Sequence, residues 1–340
     1  MTTSREWHLA RRPRGVPVDT DFALVDVELP DPGNDEILVR NTFLSVDPYM
    51  RGRMNDVKSY IPPFQLAQPM NGDAVGVVER VGEGAVDSNG STIAIGDTVT
   101  HMFGWRTRSV VPAQSARVLN TSLAPAQAYL GVLGMPGLTA YAGLLRIGEL
   151  AEGERVFVSS AAGAVGSLVG QLAHLKGASL VVGSAGGPDK TAWLLGEAGF
   201  DAAIDYKATP IRKGLAHAAP EGIDVYFDNV GGDHLEAAIT ALRPGGRAAI
   251  CGMISVYNAT EPTAGPRNMP MIIAKRLTLR GFIVFDHGDL RPKFEAEVGQ
   301  WLAEGKIVWR ETVVDGIDNA VNGFRDLMTG ANIGKMLIRL

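Results

Sequence analysis

The feature that most constrains this chain is a strand, a glycine turn and a helix run together between residues 155 and 176. Residues 155–159 (RVFVS) read as a buried strand, 161–166 (AAGAVG) as a tight turn, and 165–176 as a helix. Val165, Leu168, Val169 and Leu172 recur at i, i+3, i+4 and i+7 and so share one helix face, and Gly177 is a stop signal. A strand that turns this sharply into a helix needs small residues at three points: at the turn, where a ligand approaches the backbone, and where helix meets strand. Ala161 takes the first place, and Gly163 and Gly166 fill the other two. The first-turn amides and the dipole of such a helix make an anion site. An ordinary Ala/Gly-rich turn is the plainer reading of the same string.

The rest of the chain supplies the context. From about residue 130, apolar strands alternate with helical patterns: strands at 179–183, 224–228, 247–251 and 277–284, helices at 190–197 and 235–242. Alternation of this kind predicts βαβ units, an α/β fold and a doubly wound parallel sheet of the Rossmann type. The first 130 residues differ. Short strands at 36–41, 74–81 and 97–102 are broken by Gly/Pro/Asn turns, which predicts a β-rich domain. After about residue 288 the pattern gives one helix, 293–303, and then β-like segments to Leu340.

The tip of the second strand of the alternating half decides the dinucleotide. An NAD site places Asp or Glu there, ~20 residues after the glycine turn, to hold the ribose hydroxyls. Here the tip reads 182–187, VGSAGG, with no acid. A carboxylate would repel a 2′-phosphate, whereas Ser184 can donate to it, Lys190 can supply charge, and Tyr206 is a further donor. The bland alternatives are a solvated Lys190 and a partly buried Tyr206. Asn229 ends the next strand in DNVGG, as a cofactor ligand or as a turn cap. In 251–257, CGMISVY, the small residues Cys251, Gly252 and Ser255 let the backbone approach a nicotinamide ribose. Tyr257 stands just beyond, where its phenol meets substrate or merely packs.

Composition excludes several classes. The net charge is −5, without the basic stripe of a nucleic-acid partner. No run reaches the roughly 18 apolar residues of a membrane span; the nearest, 131–147, is broken by glycines, Pro136 and Arg146. The first residues show no signal peptide, and the single cysteine, Cys251, permits no internal disulfide, so the expected setting is cytoplasmic. One cysteine and six histidines without ligand spacing (8, 101, 174, 217, 234, 287) give no zinc set, and no Ser-x-x-x-Lys constellation of the short-chain dehydrogenase kind is present.

Taken together, residues 44–51 (LSVDPYMR), 161–166, 227–232 (FDNVGG), 251–258 and 330–335 (GANIGK) carry a resemblance across nearly the whole chain. The sequence resembles the zinc-free branch of the medium-chain dehydrogenases/reductases, nearest to prostaglandin reductases, alkenal double-bond reductases and curcumin-reductase-type enzymes. The resemblance implies a GroES-like catalytic domain over 1–129, completed by 288–340, and a Rossmann domain over 130–287, with the active site in the cleft between them. It implies that NADPH is held by Ala164, Val165, Gly166, Ser167, Lys190, Tyr206, Asn229, the 251–257 segment, Phe282, Ile283, Val284 and Asn332. It also implies that Tyr257 faces the substrate carbonyl, that Tyr49 lines the same cleft, and that the partners are a small enal or enone and a second copy of the chain. The zinc-bearing relatives place ligands near Asp47-Pro48 and Asn71-Gly72-Asp73, which are no ligand set here. Ala274 stands where some animal relatives carry a tyrosine, a departure that argues against an eicosanoid preference.

The expected reaction is NADPH-dependent reduction of the C=C bond of α,β-unsaturated aldehydes and ketones. The alternatives are an NADPH:quinone reductase on the same fold and an NADPH-binding protein with no important catalysis. Fold does not separate the three.

Overall fold

The computed structural model describes residues 2–340. The chain divides into two units, one running to Leu130 and resumed at Glu311–Leu340, the other Gly131–Arg310. No helix among the described residues is long and apolar enough to cross a membrane.

The first unit opens with β1 (Thr2–Leu9) paired antiparallel to β2 (Phe22–Leu29). Its main sheet is built on β3 (Glu36–Ser45), which leads into the short helix α1 (Tyr49–Arg53). β4 (Ala74–Val81), β5 (Thr98–His101), β6 (Arg108–Pro112) and β7 (Ala116–Val118) follow. β4 pairs with β3 over residues 37–44, and β6 takes residues 36–40 of β3. Ile37, Val39, Val78, Val99 and Val111 are fully buried in one apolar layer, and Leu38 is buried on the opposite face of β3, so that strand is covered on both sides there.

The second unit begins with α2 (Met135–Ala142), which runs on into a π-helical turn at Gly143–Ile147. Then come β8 (Arg155–Val158), α3 (Ala164–Leu175), β9 (Leu180–Ala185), α4 (Pro188–Gly196), β10 (Ala202–Asp205), α5 (Ile211–Ala218), β11 (Ile223–Asp228), α6 (Gly232–Ala241), β12 (Leu242–Ile250), α7 (Pro270–Lys275) and β13 (Thr278–Gly281). The strands lie in the order β10-β9-β8-β11-β12-β13, every neighbour parallel. Numbered within the sheet this is 3-2-1-4-5-6, the doubly wound order of the Rossmann fold. The strand order reverses between β8 and β11, so their carboxyl ends mark the switch point where such sheets bind ligands.

The last elements correct the sequence reading. α8 (Arg291–Ala303) packs in the second unit, not the first: Phe294 meets Tyr141 edge-on at 5.8 Å, and Glu297 accepts hydrogen bonds from Tyr141 (2.9 Å) and Lys176 (2.7 Å). The chain then returns to the first unit with β14 (Glu311–Asp315), α9 (Ala320–Thr329) and β15 (Lys335–Arg339). α9 falls where only β-like segments were expected. Ala320, Val321 and Phe324 are buried in the first unit's core, and Gly330 ends the helix at φ 71°. Of the strand expected at 277–284, only Thr278–Gly281 forms, because β12 ends at Ile250, which pairs with Gly281, and offers no partner beyond.

Candidate active site

The turn from β8 into α3 is built for close approach. Gly163 caps α3 and its amide donates to the Ser160 carbonyl at 3.0 Å. Ser160 itself sits at φ 50°, a left-handed conformation that a non-glycine residue adopts rarely. The Ala161 amide donates to the Ser184 carbonyl at 2.8 Å, which ties the turn to β9. A Cβ on Gly166 would drive into the Ser160 carbonyl oxygen and lie 2.8 Å from the Ala161 Cα, so only glycine lets α3 seat against the turn. Gly163, Ala164 and Val165 are half-exposed, and Gly166 and Ser167 lie buried behind them. A helix cannot satisfy its own first-turn amides, so the end of α3 offers them to an anion.

A second cluster lies past the ends of β9 and β10. The register pairs Asp205 with Ala185, so Tyr206 and Lys207 follow on beside Gly186. A Cβ on Gly186 would fall 2.8 Å from the Tyr206 hydroxyl oxygen and 2.9 Å from the Lys207 Cε, so both side chains bend across that glycine. Tyr206 is fixed by His234, whose ring it meets edge-on at 5.2 Å. Burial holds His234 down to about 4, so at neutral pH it is an uncharged prop. The Lys190 ammonium is held below its ordinary range, first by burial and second by the charge of Lys207. Ser184 does not join this cluster. Its side chain is fully buried and its hydroxyl has no partner, because β9 is an inner strand covered on both faces. That overturns its reading as the phosphate donor. The cations are Lys190 and Lys207, and only the first is evident from sequence.

The switch point is held by a network that sequence reasoning missed. Asp228, at the end of β11, is fully buried, and its Oδ1 accepts from Tyr226 Oη (2.7 Å), Val230 N (2.9 Å), Gly231 N (2.8 Å) and Ser159 Oγ (3.3 Å). Burial nonetheless keeps its carboxyl above the usual carboxylate range. Its backbone carbonyl takes the amides of Cys251 (2.9 Å) and Gly252 (3.0 Å), so one residue fixes the loops after β11 and β12. The string FDNVGG held the signal: an acid closing an apolar strand has to find donors. Asn229 spans the switch point, donating its side-chain amide to the Ser159 carbonyl (2.8 Å) and its backbone amide to Ser159 Oγ (2.9 Å). The Asn229 side chain therefore bridges to the end of β8 rather than capping its own turn, whose amides go to Asp228.

The 251–257 segment follows. Burial pushes the Cys251 thiol up to about 12, which leaves it unreactive. Ser255 donates to the Val230 carbonyl at 2.5 Å and joins the two loops. The Tyr257 phenol folds back over Gly252, and its oxygen accepts the Met253 amide at 3.3 Å. Burial raises its ionisation above the ordinary tyrosine range, so it keeps its proton at neutral pH. Phe282 is wedged edge-on to Phe227 at 6.3 Å; it fits because a Cβ on Gly143 would lie 2.6 Å from its ring. Phe282, Ile283 and Val284 are all half-buried.

Two expected site residues belong to the first unit. Tyr49 opens α1, and its phenol is raised well above its ordinary range by burial, with Asp47 and Asp73 adding to the effect. Buried bonds hold α1 at both ends. Lys335 donates to Asp47 Oδ1 and to the Val46 carbonyl, both at 2.8 Å, and Ser45 donates to Asp47 Oδ2. Arg51 reaches the Gly15 carbonyl at 2.9 Å. Asp47 is thus occupied by a lysine and a serine, not poised as a metal ligand, and no group of three or more His, Cys, Asp or Glu among the described residues could hold an ion. Asn332 is 6% exposed, and its side-chain amide donates to the Gly334 carbonyl of its own turn.

Comparison with known proteins fits this geometry. Residues 5–119 match the family described as the N-terminal domain of oxidoreductase, and residues 164–304 match zinc-binding dehydrogenase. The NADPH-dependent curcumin reductase of Escherichia coli K12 is 42% identical over 99% of this chain and 97% of its own length. The NADP-dependent 2-alkenal reductase of Nicotiana tabacum is 40% identical over 95% and 94%. The crystal structure of CurA from Vibrio vulnificus in complex with NADPH superposes with a TM-score of 0.91, at 41% identity, covering 98% of each chain.

Proposed function

Because the chain belongs to the medium-chain dehydrogenase/reductase family, in the branch of the curcumin and 2-alkenal reductases, we propose that it reduces the C=C bond of α,β-unsaturated aldehydes and ketones with NADPH. The cofactor fits the second unit: a helix start only glycine can close at Gly166, and a lysine pair beyond strands that carry no acid at the β9 tip. Gly163, Ala164, Val165, Gly166 and Ser167 would hold the pyrophosphate, and Lys190 and Tyr206 the 2′-phosphate. Asn229, Cys251, Gly252, Ser255, Phe282, Ile283 and Val284 would line the nicotinamide end. Asn332, on the first unit, is assigned to the cofactor on the family pattern, and Tyr49 to the substrate. Bound NADPH supplies the hydride.

The observation that carries the choice of bond is Tyr257. Its oxygen already accepts the Met253 amide, so its own proton is left as the outgoing donor. A neutral phenol is a modest donor. Reduction of an isolated carbonyl puts full alkoxide charge on one oxygen, whereas hydride addition at the β-carbon spreads charge over an enolate, which a phenol can stabilise. The α-carbon then takes a proton. A simple enone incubated with NADPH should give the saturated ketone, identified by mass and NMR. An allylic alcohol as main product would place the reaction at the wrong bond. Tyr257→Phe should lower kcat roughly 10- to 100-fold while NADPH affinity, measured by fluorescence titration, stays intact. An unchanged kcat across several enones would reduce Tyr257 to a wall of the pocket.

The assembly we propose is a homodimer joined edge to edge through β13, in the cytoplasm. β13 is the open edge of its sheet, and Ile273 just before it is 83% exposed. A bare strand edge beside apolar surface calls for a partner.

A further inference from the structure

We propose that Lys207 is a second cationic ligand of the cofactor's 2′-phosphate, acting beside Lys190 and so setting the preference for NADPH over NADH. The inference rests on the reading that NADPH is the cofactor, and it adds a residue that the family pattern does not assign.

Three observations carry it. Lys207 lies just past the end of β10, whose last residue, Asp205, pairs with Ala185, and its side chain lies against Gly186, with its Cε 2.9 Å from where a Cβ there would stand. A larger residue at position 186 would push Lys207 and the Tyr206 hydroxyl away together. The neighbouring acid, Asp205, is engaged by backbone: its Oδ1 accepts the amides of Gly187 at 2.9 Å and Lys207 at 3.0 Å. Finally, the charge of Lys207 disfavours the charged form of Lys190, which is already half-buried. A phosphate between the two ammonium groups would relieve that repulsion, beyond what the Asp205 carboxylate offsets at Lys207. A phosphate monoester near neutral pH carries about −1.5 to −2 charge, so one lysine leaves it under-neutralised and two match it. NADH has only a hydroxyl at that position and gains nothing from the second charge.

Equilibrium binding of NADPH and of NADH to the full chain, followed by cofactor fluorescence, tests the assignment without any turnover. Lys207→Gln should raise the Kd for NADPH ~10-fold, the scale of one hydrogen bond to a charged group, and leave the Kd for NADH within about twofold. Lys207→Arg should keep most of the NADPH affinity. The double variant with Lys190→Gln should bind the two dinucleotides nearly alike, and its NADPH affinity should depend less steeply on salt. Equal losses for both dinucleotides, or no loss for either, would overturn the proposal. Should the chain reduce no enone while Lys207→Gln still selectively weakens NADPH, the lysine assignment stands and the proposed reaction fails. An active enone reductase whose Lys207→Gln variant keeps its preference for NADPH would leave the reaction standing and remove Lys207 from the phosphate site.

Discussion

Lys335→Met should cost the protein about 3–5 kcal/mol of stability, the penalty for leaving one member of a buried ion pair alone. The side chains of Lys335 and Asp47 are 4% and 8% exposed, and they meet at 2.8 Å. Without the ammonium, Asp47 keeps only the Ser45 hydroxyl, and the Val46 carbonyl loses its donor. The carboxylate must then either take up a proton or draw water into a closed core. Asp47→Asn combined with Lys335→Met removes both charges and should recover most of the loss, because buried pairs replaced as a unit are often neutral. Denaturant titration of the two variants against the parent chain decides. A single variant as stable as the parent would show that the pair is solvated in solution. α1, which carries Tyr49, begins two residues after Asp47, so the single variant should also loosen hydrogen-exchange protection there.

Gly166→Val should weaken NADPH binding at least 100-fold, about 2.7 kcal/mol. The atoms a new Cβ would meet, in Ser160 and Ala161, belong to the backbone and cannot swing aside as a side chain could. α3 must therefore lift off the turn, and its first-turn amides leave the positions that make the anion site. Gly163→Ala should fall between the extremes, since the nearest atom there is 3.3 Å away. Gly196→Ala should be neutral or slightly stabilising, because nothing lies within 4 Å of a Cβ at that helix position. Fluorescence titration of NADPH across the series reads the gradient, and parent-like affinity in Gly166→Val would remove the pyrophosphate assignment from this turn.

The alternating half is legible in sequence because its strands and helices are long enough to show their periods. α3 and β11 appear within a residue or two of where their patterns place them. β10 gives no such signal: it has four residues, of which only Ile204 is buried, and an edge strand covered lightly leaves no alternation to read. α9 escapes for a different reason. Ile317, Ala320, Val321 and Phe324 do recur at helical spacing and Gly330 does stop the helix, but Val313, Val314 and the 336–338 run pull the pattern toward strand. At the site, what backbone demands is readable, as at Gly163 and Gly166. What burial decides is not. Ser184 looks like a donor in sequence and is sealed in the sheet, and Lys207 is an exposed lysine whose direction across Gly186 only the fold sets. The Asp228 network needs three separate elements to meet before its purpose shows.

The return of the chain to its first unit has a consequence during synthesis. Residues 43–45 of β3 find their partner in β15, which follows far later in the chain. Between them lie the 180 residues from Gly131 to Arg310, which form a contiguous unit with its own sheet. At ~5–20 residues per second, that stretch takes roughly 10–40 s to translate, during which the inserted unit can close while part of the β3 edge stays bare. A bare strand edge is a template for another chain, so that interval is when nascent copies on one messenger are most exposed to pairing with each other. Chaperone occupancy of the nascent chain should accordingly persist past residue 130 and fall only as β15 emerges.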